Sequence, residues 1–147
     1  MDASDIKFWH PFRVRYSEID AQGIVFNAHY LTYFDTAITE YFRAIGADYK
    51  ALVAAAGTDF HTVKSLIEYA APLAFDEEFE AGVRVARIGN SSLAFSLALR
   101  GRVAQDVRTT GEIVWVNADQ ATHKATPLPA ELKRQIEVFE SGSAAND

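Results

Sequence analysis

Residues 13–46 read RVRYSEIDAQGIVFNAHYLTYFDTAITEYFRAIG, and the change of period inside this stretch decides the fold. Phe12, Val14 and Tyr16 alternate with Arg13 and Arg15, which predicts a strand over Phe12 to Tyr16. Ser17 to Gly23 is polar and ends in glycine, as a turn does. From Asn27 onward Tyr30, Leu31, Phe34, Ile38, Tyr41, Phe42 and Ile45 recur at steps of three and four, so one face of a helix is apolar. Asn27 is the expected N-cap and Gly46 the left-handed residue past the C-terminus, giving a helix of about 18 residues and about 27 Å. Such a helix needs a broad surface over its apolar face, and a sheet offers one.

Working outward, Asp48 to Ala56 reads as a short helix closed by Gly57. The period then falls to two. His61 to Tyr69 is strand-like, and Phe79, Ala81, Val83 and Val85 alternate with Glu80, Gly82, Arg84 and Ala86. Gly89-Asn90 is a hairpin-type turn. Leu93, Phe95, Leu97 and Leu99 form one face of the next strand, and Val107 to Val116 supplies the last. Ala130 to Glu140 suits a terminal helix, with Leu132, Ile136 and Phe139 on one side, and the tail from about 141 is expected to fray. Before the strand at Phe12, Met1 to Pro11 is expected to be a loosely held arm whose Phe8 and Trp9 pack on something. Helix and strand segregate along the chain. The expected class is α+β, a single domain over residues 1–147 with an antiparallel sheet of about five strands.

At 147 residues, 49% hydrophobic and 23% charged, the chain has the bulk of one compact soluble domain. It has no cysteine, which removes a thiol nucleophile, a thiolate zinc site and any disulfide framework. No apolar run reaches signal-peptide or membrane-span length, so a cytoplasmic protein without a membrane partner is expected. A net charge of −6 argues against nucleic acid. Between Val83 and Gly111, however, Arg84, Arg87, Arg100, Arg102 and Arg108 face one acid, Asp106. That segment suits either solvated strand faces or a small anionic ligand such as a nucleotide phosphate. No G-x-S-x-G elbow, G-x-G-x-x-G turn or Walker A loop occurs, and His10, His29, His61 and His123 are scattered without metal-ligand spacing. No metal is expected.

Carboxylate chemistry at the first turn remains. Glu18 and Asp20 lie two apart and in extended backbone would point the same way. By itself Asp20-Ala21-Gln22-Gly23 is ordinary turn chemistry. The longer pattern says more. Tyr16-x-x-x-Asp20-x-x-Gly23-Ile24-Val25-Phe26-Asn27-x-x-Tyr30-x-x-Tyr33-Phe34 runs on to Thr39-Glu40 and Arg43. Tyr69-x-x-Pro72-x-x-x-Asp76 and Arg87-x-Gly89-Asn90-Ser91-Ser92 follow. Together they resemble the hot-dog fold acyl-CoA thioesterases, most nearly the 4-hydroxybenzoyl-CoA thioesterase branch.

The resemblance implies a long central helix wrapped by a curved antiparallel sheet, in homodimers joined edge to edge and often paired into homotetramers. It implies hydrolysis of an acyl-CoA thioester, with Asp20 as nucleophile or general base. Backbone N–H at Asn27 would stabilise the oxyanion, and Gly23 would let the loop approach the thioester. Tyr30, Arg87, Gly89, Asn90, Ser91 and Ser92 would contact the substrate, whose coenzyme A moiety is part of the substrate and not a cofactor. Some relatives carry histidine where this chain has Ile24, and others tyrosine then histidine where it has Phe26-Asn27. Asp20 is left as the acid–base group of the motif. Two alternatives are a thioesterase acting on acyl-carrier protein and a non-hydrolytic acyl-CoA-binding protein. The second would have no need of an acid at this turn.

Overall fold

The helical stretch after Asn27 forms in two parts. In the computed structural model, which describes residues 3–142, Asn27–His29 is a 3₁₀ turn that feeds directly into α1 (Tyr30–Ala44). The three and fifteen residues together give the expected eighteen. The cap differs from expectation: Phe26, in extended conformation, holds the N-cap position, and Asn27 is the first residue of the turn. At the other end Gly46 has φ of +76°, with Gly46 N–H donating to Arg43 C=O and Ala47 N–H to Phe42 C=O. This pair of bonds satisfies two of the helix's last carbonyls, and glycine adopts the positive φ without a Cβ clash.

The remaining elements are β1 (Phe8–Arg13), α2 (Tyr49–Ala55), β2 (Thr58–Tyr69), β3 (Glu78–Ile88), β4 (Ser92–Gly101), β5 (Val107–Asp119) and α3 (Ala130–Ser141). The five strands form one antiparallel sheet in the order β1-β3-β4-β5-β2, on which α1 packs. The expected frayed tail falls almost wholly on residues 143–147, outside the described residues.

The N-terminal reading is corrected. The strand begins at Phe8, not Phe12, and pairs with β3 from Phe8 opposite Val83 to Arg13 opposite Glu78. Pro11, which broke the alternation in the sequence, is tolerated because β1 is an edge strand. Ile6 is buried and Trp9 lies over Gly82, where any side chain would collide with Trp9 and Ile6. The segment is therefore held and not a loose arm. Tyr16–Glu18 is a 3₁₀ turn with Tyr16 exposed.

By contacts the chain divides into two units. One comprises the chain up to Tyr41 with Leu66–Arg84 and Ser96–Gly111; the other comprises Phe42–Ser65, Val85–Phe95 and the chain from Glu112 onward. In the first, Tyr33 and Phe12 pack on Phe79 with ring centroids 4.9 and 5.2 Å away, and the buried Phe34 ring sits over Gly111. In the second, Trp115 gathers Phe42, Tyr49, Phe60 and Phe95 at centroid distances of 5.0–6.0 Å. Here α2 is capped by Asp48, whose carboxylate accepts the Ala51 N–H.

Candidate active site

The Asp20 turn and the residues that line the cavity beside it lie in the first unit. The turn after Ile19 closes on itself: Asp20 N–H donates to Ile24 C=O at 2.9 Å and Gly23 N–H to Asp20 C=O at 3.0 Å. Gly23 takes φ of +76° with nothing near its missing Cβ. Its requirement is conformational, a left-handed turn residue, since the space around it is open. The turn is pinned by bridges between Ile19 and Val25 and between Ile24 and Ala74. Asp20 Oδ1 accepts the Gln22 N–H at 2.8 Å, and among the described residues no bond is made to Oδ2. One carboxylate oxygen thus fixes the side chain while the other carries no hydrogen bond among the described residues.

Asp20 lines a cavity of about 410 Å³. Asp20, Phe26, Asn27 and Tyr30 line one part of it, and Tyr69 and Pro72 another. Asn27 and Ala28 occupy the first two positions of the 3₁₀ turn, where N–H groups have no acceptor within the helix, and no other backbone acceptor reaches them among the described residues. The positive end of the helix dipole adds to these donors. A carboxylate and the Asn27 amide on one mostly apolar space, with the Ala28 amide next in the chain, can do acyl-transfer chemistry: the acid attacks or deprotonates and unpaired amide N–H holds a developing oxyanion.

Tyr30 is buried and meets Tyr69 edge-on at 5.0 Å. Burial pushes its phenol above the ordinary tyrosine range, so it stays protonated. The lining segment Ala70 to Pro72 is tied to Arg108. The backbone carbonyl of Arg108 accepts the Ala70 and Ala71 N–H groups, and its Nη1 donates to Pro72 C=O at 2.8 Å. The guanidinium also forks onto Glu77 at 3.1 and 2.6 Å, and this hydrogen bonding holds the Glu77 carboxyl below the usual glutamate range.

The basic segment expected from the sequence does not survive as a patch. Arg100 pairs with Glu80, Arg102 with Glu78, and Arg108 with Glu77 and Asp106. The β3–β4 pairing brings Glu80 and Glu78 of β3 beside Arg100 and Arg102, and Glu77, just before β3, reaches Arg108, which local sequence does not reveal. Arg87 is exposed on β3.

Asp20, Asn27 and Tyr30 are thus brought together, with Gly23 shaping the turn beside them. Arg87, Gly89, Asn90, Ser91 and Ser92 belong to the second unit. There the turn is firmly held: Gly89 N–H donates to Ser92 C=O, Ser91 C=O accepts Asn117 N–H and Asn90 C=O accepts Leu128 N–H. Sequence reasoning did not assign a role to Tyr69, Pro72 or Glu18. The first two stood in the quoted motif, and for the third the short Arg15-to-Glu18 spacing, which allows a local ion pair, was the available signal. Among the described residues no cluster of three or more potential ligands could hold a metal, and no helix is long and apolar enough to cross a membrane.

A family model of the thioesterase-like superfamily matches residues 14–136, and the chain belongs to that family. Among its relatives, the acyl-CoA thioesterase YbgC of Haemophilus influenzae is 26% identical over 129 residues, covering 88% of this chain and 93% of that protein. Among solved structures, PA5185 of Pseudomonas aeruginosa is 29% identical with a TM-score of 0.80, covering 97% and 96% of the two chains. Slr0204 of Synechocystis, a 1,4-dihydroxy-2-naphthoyl-CoA thioesterase, shares the fold at a TM-score of 0.81 with 13% identity, covering 88% and 94%. The architecture is that of the hot-dog fold.

Proposed function

We propose that this protein hydrolyses acyl-CoA thioesters, with Asp20 supplying the reacting oxygen or the base and the Asn27 and Ala28 amides receiving the oxyanion. The observation that carries the reading is the shared cavity. In a thioesterase-family chain, the aspartate and the open N-terminus of the helical stretch line the same space. In one route Asp20 Oδ2 attacks the thioester carbonyl, the C–S bond breaks, the coenzyme A thiolate leaves, and water then opens the mixed anhydride. In the other, Asp20 takes a proton from a water that attacks directly. Both leave a free acid and coenzyme A. Arg87 and the Gly89 to Ser92 turn meet the coenzyme A moiety in this reading, supported by the exposed guanidinium and the fixed turn.

The working form in this proposal is a homodimer, alone or paired into a tetramer, joined along β2. That strand lies at the sheet edge, and His61 to Leu66 are all exposed, including Val63 at 60%.

The test is thiol release from a panel of aromatic, short-chain and long-chain acyl-CoAs. Asp20→Asn is expected to lower kcat on the best substrate by at least about 100-fold, the scale on which general acid–base groups contribute. Wild-type rates in Asp20→Asn would overturn the assignment. Binding without turnover across the panel would favour a non-hydrolytic protein, and a single turnover in ¹⁸O-labelled water, with label entering Asp20, separates the two routes.

A further inference from the structure

Glu18 is a buried carboxylate two residues before Asp20, and nothing in the proposed chemistry uses it. Acids are rarely buried unless fully paired, and this one is. Its Oε1 accepts the Arg15 N–H at 2.8 Å and the Tyr33 hydroxyl at 2.8 Å, and its Oε2 accepts the Arg15 guanidinium at 2.9 Å. The main chain of the same residue does further work, since Glu18 C=O accepts the Phe26 N–H at 2.9 Å. One residue therefore grips both ends of the segment that carries Asp20. Tyr33 lies one turn inside α1, buried at 3% exposure and packed between Phe79 and Phe12.

We infer that Glu18 is a positioning residue that acts through Tyr33, locking the Asp20 turn to α1 and so holding the carboxylate in register with the amides at the start of the helical stretch. The inference rests on the reading of Asp20 given above. The turn and the amides belong to successive parts of one chain, but neither the turn's own hydrogen bonds nor its bridges reach α1. The Tyr33–Glu18 bond does. A carboxylate suits the task because it only accepts, and three donors converge on it. A glutamine amide would turn its own N–H₂ against one of them. Burial raises the Glu18 pKa, but the Arg15 and Tyr33 hydrogen bonds outweigh it and hold the group below the usual glutamate range. Burial and the neighbouring carboxylate push the Tyr33 phenol far above its usual range, so the tyrosine is always the donor.

The experiment is a double-mutant cycle between Tyr33→Phe and Asp20→Asn, read in kcat and KM on the best substrate of the panel, with Glu18→Gln as a second probe of the same lock. Tyr33→Phe removes only the hydroxyl and keeps the packed ring. It is expected to lower kcat by about 10- to 100-fold, the cost of small misplacement of a reacting group. KM should change by less than about threefold, with an unchanged circular dichroism spectrum. In the Asp20→Asn background the same change is expected to have no further effect. Wild-type activity in Asp20→Asn would remove the premise and the inference with it. An inactive Asp20→Asn beside a Tyr33→Phe and a Glu18→Gln that both keep wild-type kcat would overturn the inference alone. So would an equal loss from Tyr33→Phe in both backgrounds, because the tyrosine would then act without Asp20. If Tyr33→Phe does not fold, Glu18→Gln carries the cycle.

Discussion

Gly111→Ala isolates the contact by which α1 rests on the sheet. A Cβ built at Gly111 would stand 2.7 Å from Phe34 Cε2, 3.2 Å from Phe34 Cζ and 3.2 Å from the Leu66 carbonyl oxygen. Carbon atoms at rest sit about 3.5–4.0 Å apart, so the overlap is about 1 Å. The far side of the contact is stiff. Phe34 is wholly buried and the other neighbour is backbone. Overpacking of this kind costs about 1–3 kcal/mol. In a chain of this size each kcal/mol moves the midpoint by about 2–4 °C, so a fall of about 2–12 °C is expected. The assay is thermal unfolding at fixed protein concentration, run in wild-type and Phe34→Leu backgrounds. The smaller leucine alone destabilises by leaving space, and that space should accept the alanine methyl, so Gly111→Ala should cost clearly less there. Gly46→Ala serves as a control, since it meets no atom within 4 Å and suffers only its positive φ. An equal cost of Gly111→Ala in both backgrounds would refute the packing argument.

Acid sensitivity is the next expectation. Glu18 and Glu77 both have folded-state pKa values depressed below the ordinary value. Their contribution is therefore present above the unfolded carboxylate pKa of about 4.3 and is lost as pH falls from there through the folded values. Unfolding temperature should drop on acidification from about pH 5 to pH 3, and Arg108→Met, which removes the partner of Glu77, should flatten that drop; a wild-type transition unmoved across the window would contradict it. For the assembly, Val63→Glu on the edge strand should shift sedimentation at micromolar concentration toward monomer, because a charge there opposes strand pairing. A wild-type protein that already sediments as a monomer would remove the proposed β2 interface.

The helix was legible because Phe34, Ile38, Tyr41 and Phe42 repeat on one face and Gly46 ends it; both signals are local. The β3–β4 hairpin was legible for the same reason, with alternation on either side of Gly89-Asn90. β1 was not, because FWHPFR lacks clean alternation and its pairing with Val83 to Glu78 is a long-range event. The site was half legible. Asp20, Asn27 and Tyr30 came from one motif and line one cavity, whereas Tyr69 and Pro72 come to it from a distant segment that Arg108 helps to hold. The pairing of Arg100, Arg102 and Arg108 was hidden for a related reason, since their counter-charges Glu80, Glu78 and Glu77 lie on β3 or just before it, 20 or more residues away in the chain. Glu18 and Asp20, which an extended backbone would point the same way, are divided by the 3₁₀ turn. One faces Tyr33 and the other faces the cavity.

The Asp20 turn holds its shape through main-chain atoms: Gln22 contributes its amide to Asp20 while its side chain is exposed, as is that of Ala21. Because the chain contains no cysteine, Gln22→Cys would create a single thiol two residues from the carboxylate. A small environment-sensitive dye attached there would sit two residues from the cavity-lining Asp20 without replacing any bond that shapes the turn. The turn thus doubles as a ready attachment point for an optical reporter of ligand arrival and departure, readable in real time and without a coupled assay.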